Sequence, residues 1–319
     1  MFLSFYSYEL HSVCLTSLGI LFVVMSIVYM YVVLRKTPPP LSAYKFHFLY
    51  LNGCYQVANT CLALFGPFDV TVQDEGLIIL ELHGVIQYLP LKSLYYLVGF
   101  FDDFSICSII SAVLLSFLLR YCQVCHPKSR YATTSAIRKR VEAALSTVIP
   151  FPLAVLFTVA LFIHSENDVV NQASIHVKIS NHLIVVMEAI GFAAVVATVL
   201  CLLFIITICW TLYWKMGHAS KRTKEMQRML TITLIVCGAI PLLFGVIPLF
   251  LGIYTVVLRV EGTITIFRII FIIFMLQGIL NIIAAMLLVK PYRAVLLTWL
   301  RIKKSQQTVT VACAGQRTS

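Results

Sequence analysis

Charge is what this sequence has least of. Only 12% of its 319 residues are Asp, Glu, Lys or Arg, against roughly 25% in ordinary soluble domains. Acids are the scarcer sign, 13 against 24 basic residues. Hydrophobic residues make up 60%, more apolar surface than a water-soluble fold of this length can hide. The composition excludes a soluble enzyme, a secreted disulfide scaffold, a disordered tail protein and a soluble nucleic-acid binder. In such a chain the net charge of +11 becomes a question of which side of a membrane the basic residues occupy.

Other absences narrow the choice. No Asn-x-Ser/Thr glycosylation acceptor occurs. His-Glu-x-x-His, Gly-x-Ser-x-Gly and Gly-x-Gly-Asp are all missing, so no catalytic constellation is visible and a non-enzyme is expected. No repeat pairs one half of the chain with the other, which speaks against a transporter built from repeats. A transporter stays open as an alternative through the proline-broken sixth span and the intramembrane acids described below. A ligand-gated channel with an inside N-terminus is the other alternative, and the charge count opposes it. The cysteines form no outer framework: Cys14, Cys54, Cys61, Cys107, Cys201, Cys209 and Cys237 lie in apolar runs, and Cys122, Cys125 and Cys313 in basic stretches. Cys122 and Cys125 lack the further nearby cysteines of a zinc site. Lipidation of Cys122, Cys125 or Cys313 stands beside plain free thiols as a reading. No cofactor or metal is expected.

What the chain does have is long apolar runs. Seven are suited to crossing a bilayer, at about 14–34, 46–66, 94–119, 143–163, 183–214, 229–258 and 264–289. The shorter run 77–89 contains Glu81 and His83 and reads as an interfacial or loop helix. No Lys or Arg precedes the first run, which is also too long for a cleavable signal, so it is kept as the first helix. The expected fold is an all-α seven-transmembrane bundle over residues 1–300, with a short tail at 301–319. Of the 24 Lys and Arg, 20 fall after the first, third, fifth and seventh spans, three fall on the opposite side, and Arg268 lies within a span. The basic side should be cytoplasmic, with the N-terminus outside.

Four intramembrane charges are the candidate binding groups: Asp102 and Asp103 in the third span, Glu188 in the fifth and Arg268 in the seventh. A charge at the bilayer centre costs roughly 2.5–3.5 kcal/mol on insertion scales, so it normally faces the bundle, water or a partner. Adjacent helical residues point about 100° apart, so Asp102 and Asp103 cannot both face lipid cheaply. Arg268 is expected to pair with this acid pair, Asp103 first. The pair would lie under an apolar pocket lined by Tyr96, Phe100 and Phe271 and enclosed by the outer halves of the third, fifth, sixth and seventh spans. Such a paired site leaves the sign of the ligand open. For Glu188 and Arg268 the alternative is simple snorkelling to the outer interface.

In the sixth span Pro241 and Pro248 sit seven apart on nearly one face, with Gly238, Gly245 and Gly252 among them. They suggest a hinge, with a static kink as the alternative. At the basic side, Arg120 and Tyr121 end the third span. Lys221, Arg222, Lys224 and Arg228 lead into the sixth, and Pro291, Tyr292 and Arg293 follow the seventh. An amphipathic stretch with Trp299 comes next. These helix ends suggest a crevice for a partner's amphipathic helix, with orientation signals and headgroup anchors as the bland alternative.

Several strings bear on family: Lys36-Thr37-Pro38; Gly84-Val85-Ile86-Gln87-Tyr88-Leu89; Ser220-Lys221-Arg222-Thr223; Ile240-Pro241 and Ile247-Pro248-Leu249; Gln277-Gly278-Ile279-Leu280-Asn281; and Val289-Lys290-Pro291-Tyr292-Arg293. Together they resemble the nematode serpentine chemoreceptors, the Srh family first and the Sri and Str families next, over about residues 14–297. Where Srh-like receptors carry Phe-Glu-Asn-Arg at the end of the third helix, this chain has Phe117-Leu118-Leu119-Arg120. The resemblance implies a chemosensory G-protein-coupled receptor with an external small-molecule ligand. It further implies a heterotrimeric G protein that fills the crevice with the C-terminus of Gα, and a place in the plasma membrane at the sensory cilium of chemosensory neurons.

Overall fold

The computed structural model describes residues 8–37, 39–65, 68–73, 77–82, 92–164, 174–178, 181–215, 221–260 and 262–299. Helix α1 (Tyr8–Lys36) carries Glu9 in its first turn and Arg35 and Lys36 in its last, charges that suit the helix dipole. A 3₁₀ turn, Pro39–Tyr44, leads into α2 (Lys45–Thr60), which runs on as a π turn, Cys61–Phe65. Strands β1 (Phe68–Val72) and β2 (Leu77–Leu82) come before α3 (Lys92–Cys125). Short helix α4 (Arg130–Thr133) is capped by Ser129, whose hydroxyl accepts from the Ala132 N–H. Helices α5 (Ser135–Val148) and α6 (Pro150–His164) meet at Pro150, which lacks the N–H a continuous helix needs. Then come β3 (Ser174–Lys178), α7 (Asn181–Lys215), α8 (Lys221–Pro241), a π turn (Leu242–Val246), α9 (Ile247–Val257), α10 (Thr263–Leu288) and α11 (Lys290–Trp299).

Among the described residues six helical segments are long and apolar enough to cross a membrane, with α5–α6 and α8–α9 each acting as one. Helix α2 is the seventh member of the bundle. Its own helix is only 16 residues and buries His47, Asn52 and Asn59, which dilutes its apolar character. It can do so because it is packed against both α1 and α3. The fold is the expected all-α seven-helix membrane bundle. Its outside is apolar, as lipid requires: Phe192, Ile206, Tyr213 and Trp214 of α7 are all exposed. Polar groups turn inward, as where Asn52 Nδ2 donates to Ser26 Oγ at 2.7 Å.

Across one end lies a three-stranded antiparallel sheet in the order β1-β2-β3. Val70 faces Leu80, and Ile78 faces Val177. This corrects the reading of 77–89 as a helix: its described part, Leu77–Leu82, is the central strand. A neighbour on each side satisfies the strand's backbone groups, and the alternate residues Ile78 and Leu80 turn onto the bundle. At the opposite, basic end, the His47 imidazole of α2 lies 3.1 Å from Glu142 of α5, and Tyr131 of α4 donates to the same carboxylate. These contacts fix the α4–α5 connection to the bundle. Helix α11 folds back on α1, its Trp299 ring 6.2 Å from that of Tyr31.

Candidate functional site

Beneath the sheet the helices enclose a cavity of about 300 Å³, the size of a small-ligand pocket. Val70, Ile78, Leu80 and Val177 of the three strands form its roof. Its walls include Asp102, Asp103 and Ile106 of α3, Phe157 of α6, Met187 of α7, Leu249 and Ile253 of α9, and Phe267 and Phe271 of α10. Pro241, Gly245 and Gln277 form the floor. The lining is apolar except for Asp102, Asp103 and Gln277. The Thr158 hydroxyl donates to Asp103 Oδ2 at 3.4 Å. Asp102 Oδ1 is buried with no hydrogen-bond partner among the described residues.

Two polar devices flank the cavity. At the roof, Arg268 of α10 donates through Nε to Asp69 Oδ1 at 2.8 Å and through Nη2 to Oδ2 at 2.6 Å. This bidentate pair on β1 ties the sheet to the bundle. At the floor, Gln277 Nε2 and Asn281 Nδ2 both donate to the Tyr55 hydroxyl of α2, at 2.9 and 3.3 Å. The Gln277 amide also presses on the rod above it. A Cβ on Gly245 would sit 2.9 Å from Gln277 Oε1, so only glycine allows this approach.

The rod α8–α9 is interrupted where it borders the cavity. Pro241 ends α8, the π turn follows, and Pro248 opens α9. The break is thus a π bulge with a proline on each side, more than the simple proline kink the sequence suggests. Further down the same rod, Arg120 of α3 is 1% exposed. Its Nη2 donates to the Gln227 carbonyl and to Thr231 Oγ1, both at 3.0 Å, and Nε lies 3.3 Å from the same hydroxyl. The basal ends of α3 and α8 are clasped together by this one side chain.

The family model for the serpentine type seven-transmembrane G-protein-coupled chemoreceptor Srh matches residues 6–302. The chain belongs to the Srh family. No curated protein matches it. The receptor is therefore a serpentine chemoreceptor, a class of membrane receptors and not of enzymes.

Of the seven residues expected around the ligand, the receptor brings Asp102, Asp103 and Phe271 together on the cavity wall. Tyr96, Phe100, Glu188 and Arg268 lie off it. Phe100 stacks on Phe104 and meets Phe151 edge-on, turned toward α6. Glu188 is exposed, one residue beyond the lining Met187 and so on a different face of α7. Tyr96 sits higher on α3. The expected partnership of Arg268 with Asp103 is corrected, because Asp69 of the sheet captures the guanidinium. In the sequence Asp69 is one more outer-loop acid. The signal that marks it out is the alternating Asp69-Val70-Thr71-Val72 around it, a strand pattern.

The basal residues also sort differently. Arg120 points into the bundle, away from any crevice. Tyr121 bonds His126 at 3.1 Å and packs on Phe204. Tyr292 is fully buried, its hydroxyl 2.7 Å from Thr37 Oγ1 and its ring edge-on to Tyr29 and Phe48, so it anchors α11 and offers nothing to a partner. Pro291 is half-buried at the start of α11, and Arg228 and Arg293 are exposed. The side chains of Lys221, Arg222 and Lys224, and the whole of Cys313, lie outside the described residues. Cys125 Sγ lies 3.3 Å from Thr211 Oγ1 of α7, with Cys122 half-buried one turn before it. The residues that sequence reasoning misses are Gln277, Asn281, Gln227 and Thr231. A Gln and an Asn four apart in an apolar helix are a usable signal.

Proposed function

We propose that this receptor binds an external small molecule in the roofed cavity and, once occupied, activates a heterotrimeric G protein at its basal end. One observation carries the reading: a single interrupted rod touches both places. Pro241, Gly245, Pro248 and Leu249 border the cavity, and Gln227 and Thr231 of the same rod hold Arg120. A ligand that favours a straighter or rotated rod draws α8 off α3. It thereby releases Arg120 and opens the crevice in which the Gα C-terminus docks beside Arg228 and Arg293. With Arg120 clasped the receptor is closed, and ligand shifts the population away from that state.

The sheet end faces outward in this reading, with the N-terminus outside and the tail in the cytoplasm, as the Lys and Arg count favours. The receptor then sits in the plasma membrane of a sensory cilium, a location the family resemblance supports. An N-terminal tag should stain on intact cells and a C-terminal tag only after permeabilisation. The functional test is a small-molecule panel on cells expressing the chain with a promiscuous Gα. Any response should be lost in Leu249→Trp, which fills the cavity, at unchanged surface staining. A response that survives the filled cavity would contradict the reading.

A further inference from the structure

Resting on that proposed function, we infer that the cavity is built for a small hydrophobic amine: a primary or secondary ammonium on an apolar body. A cation beside Asp102 and Asp103 would have neutralised them and left the ligand's charge open. Arg268 is instead held by both oxygens of Asp69. No Lys, Arg or His lines the cavity among the described residues, and neither Asp102 nor Asp103 has an ion-pair partner among them. Two adjacent carboxyl groups thus stand in an apolar chamber with no cation beside them among the described residues.

Hydrogen-bond capacity points the same way, and independently of charge. Among the described residues three polar side chains line the chamber. Gln277 is 1% exposed, and one N–H of its amide donates to Tyr55. That leaves Gln277 Oε1 as a buried acceptor without a donor. Asp102 Oδ1 is a second such acceptor. Asp103 receives the Thr158 hydroxyl on one oxygen only, at 3.4 Å. Among the described residues the lining offers more open acceptors than donors. An unmade hydrogen bond on a buried group is costly, so the complementary ligand brings N–H groups and no acceptor of its own. An ammonium does this and also supplies the missing positive charge, through charge-assisted bonds.

The rest of the chamber selects the body of that ligand. Phe157, Phe267 and Phe271 line it with aliphatic side chains. Phenyl faces favour a cation as well as an apolar group. A volume of about 300 Å³ lies at the lower end of the range for ligand pockets, about 300–1,000 Å³. The fit is therefore to a compact aliphatic or arylalkyl amine. A carboxylic acid of the same shape adds further acceptors to a lining already rich in them, and an alcohol brings a single neutral donor.

The test uses the full chain purified into nanodiscs and three matched probe sets: hexylamine, hexanol and hexanoic acid; phenethylamine, 2-phenylethanol and phenylacetic acid; cyclohexylmethylamine, cyclohexylmethanol and cyclohexanecarboxylic acid. Thermal unfolding is followed against probe concentration at pH 7. At least one amine should raise the unfolding temperature saturably, at concentrations at least tenfold below those its alcohol needs, and the acids should have no effect. Asp102→Asn should weaken that amine at least tenfold and leave its alcohol unchanged. Asp103→Asn supplies the same comparison should the first variant not fold. Stabilisation by alcohols or acids over amines, an amine effect that survives both variants, or no saturable effect of any amine would overturn the inference. Amine binding without nucleotide exchange on a G protein would sink the proposed function and leave the amine inference standing. Exchange driven by the neutral probes alone would do the reverse.

Discussion

Arg268 and Asp69 stand 199 positions apart in the chain and meet through two parallel hydrogen bonds, 2.8 and 2.6 Å long. Both side chains are largely buried, at 12% and 5% exposed. The pair does two jobs with one contact. It fastens the sheet over the cavity, and it holds Arg268 at the roof, away from the acids below.

Breaking this pair removes a buried bidentate contact, and losing one member of such a pair typically costs about 3–5 kcal/mol. Asp69→Asn and Arg268→Gln should each lower the unfolding temperature of the purified receptor clearly. In the double variant the loss should be smaller than the two single losses added, because the residues share one contact. Additive losses, or no loss in either variant, would mean that the roof is held elsewhere.

The approach of Gly245 to Gln277 yields a second expectation. A methyl group at Gly245 falls 2.9 Å from Gln277 Oε1 and 3.3 Å from Nε2, so Gly245→Ala should push the amide aside and strain its bond to Tyr55. Ligand potency measured by dose–response should fall at least severalfold with surface delivery retained. Adding Gln277→Ala should remove the collision and recover part of the loss. Potency unchanged in Gly245→Ala would separate the π bulge from signalling.

Tyr292 separates packing from coupling. Tyr292→Phe removes one hydrogen bond, worth about 1 kcal/mol, and should lower stability slightly with coupling intact. Tyr292→Ala empties an aromatic site at a typical cost of about 3–5 kcal/mol and should lose much of the surface protein. A Phe variant that is delivered normally but cannot signal would show that the hydroxyl takes part in coupling after all.

The seven-helix bundle is legible because lipid imposes a composition that survives in the linear sequence: long apolar runs with basic ends. The intramembrane acids are legible for the same reason, since Asp102 and Asp103 break an apolar run. Their surroundings are not. Asp69 is one of several outer acids, and nothing local says that it meets Arg268 across the fold. Pattern alone also cannot distinguish the central strand Leu77–Leu82 from an apolar turn of helix, because its partners β1 and β3 lie on different loops. Tyr292 sits in the most family-like string of the chain, and its burial under Tyr29 and Phe48 depends on α11 folding back. Arg120 is where the pattern suggests a surface charge and packing supplies Thr231 and Gln227 instead.

The most direct test of the account is ligand-free nucleotide exchange on a purified G protein by the full chain in nanodiscs, wild type against Thr231→Ala, across several Gα subtypes. Thr231 Oγ1 accepts from the Arg120 guanidinium, and a hydrogen bond to a charged group contributes about 1.5–3 kcal/mol. Its loss should shift the closed–open balance about tenfold or more, since each ~1.4 kcal/mol is a factor of ten. The account predicts that Thr231→Ala accelerates exchange by at least severalfold over wild type for one or more subtypes, and that adding Arg120→Ala, which removes the rest of the same clasp, does not return it to the wild-type rate. Exchange by Thr231→Ala no faster than wild type with every subtype, in protein that is folded and monodisperse, would contradict it.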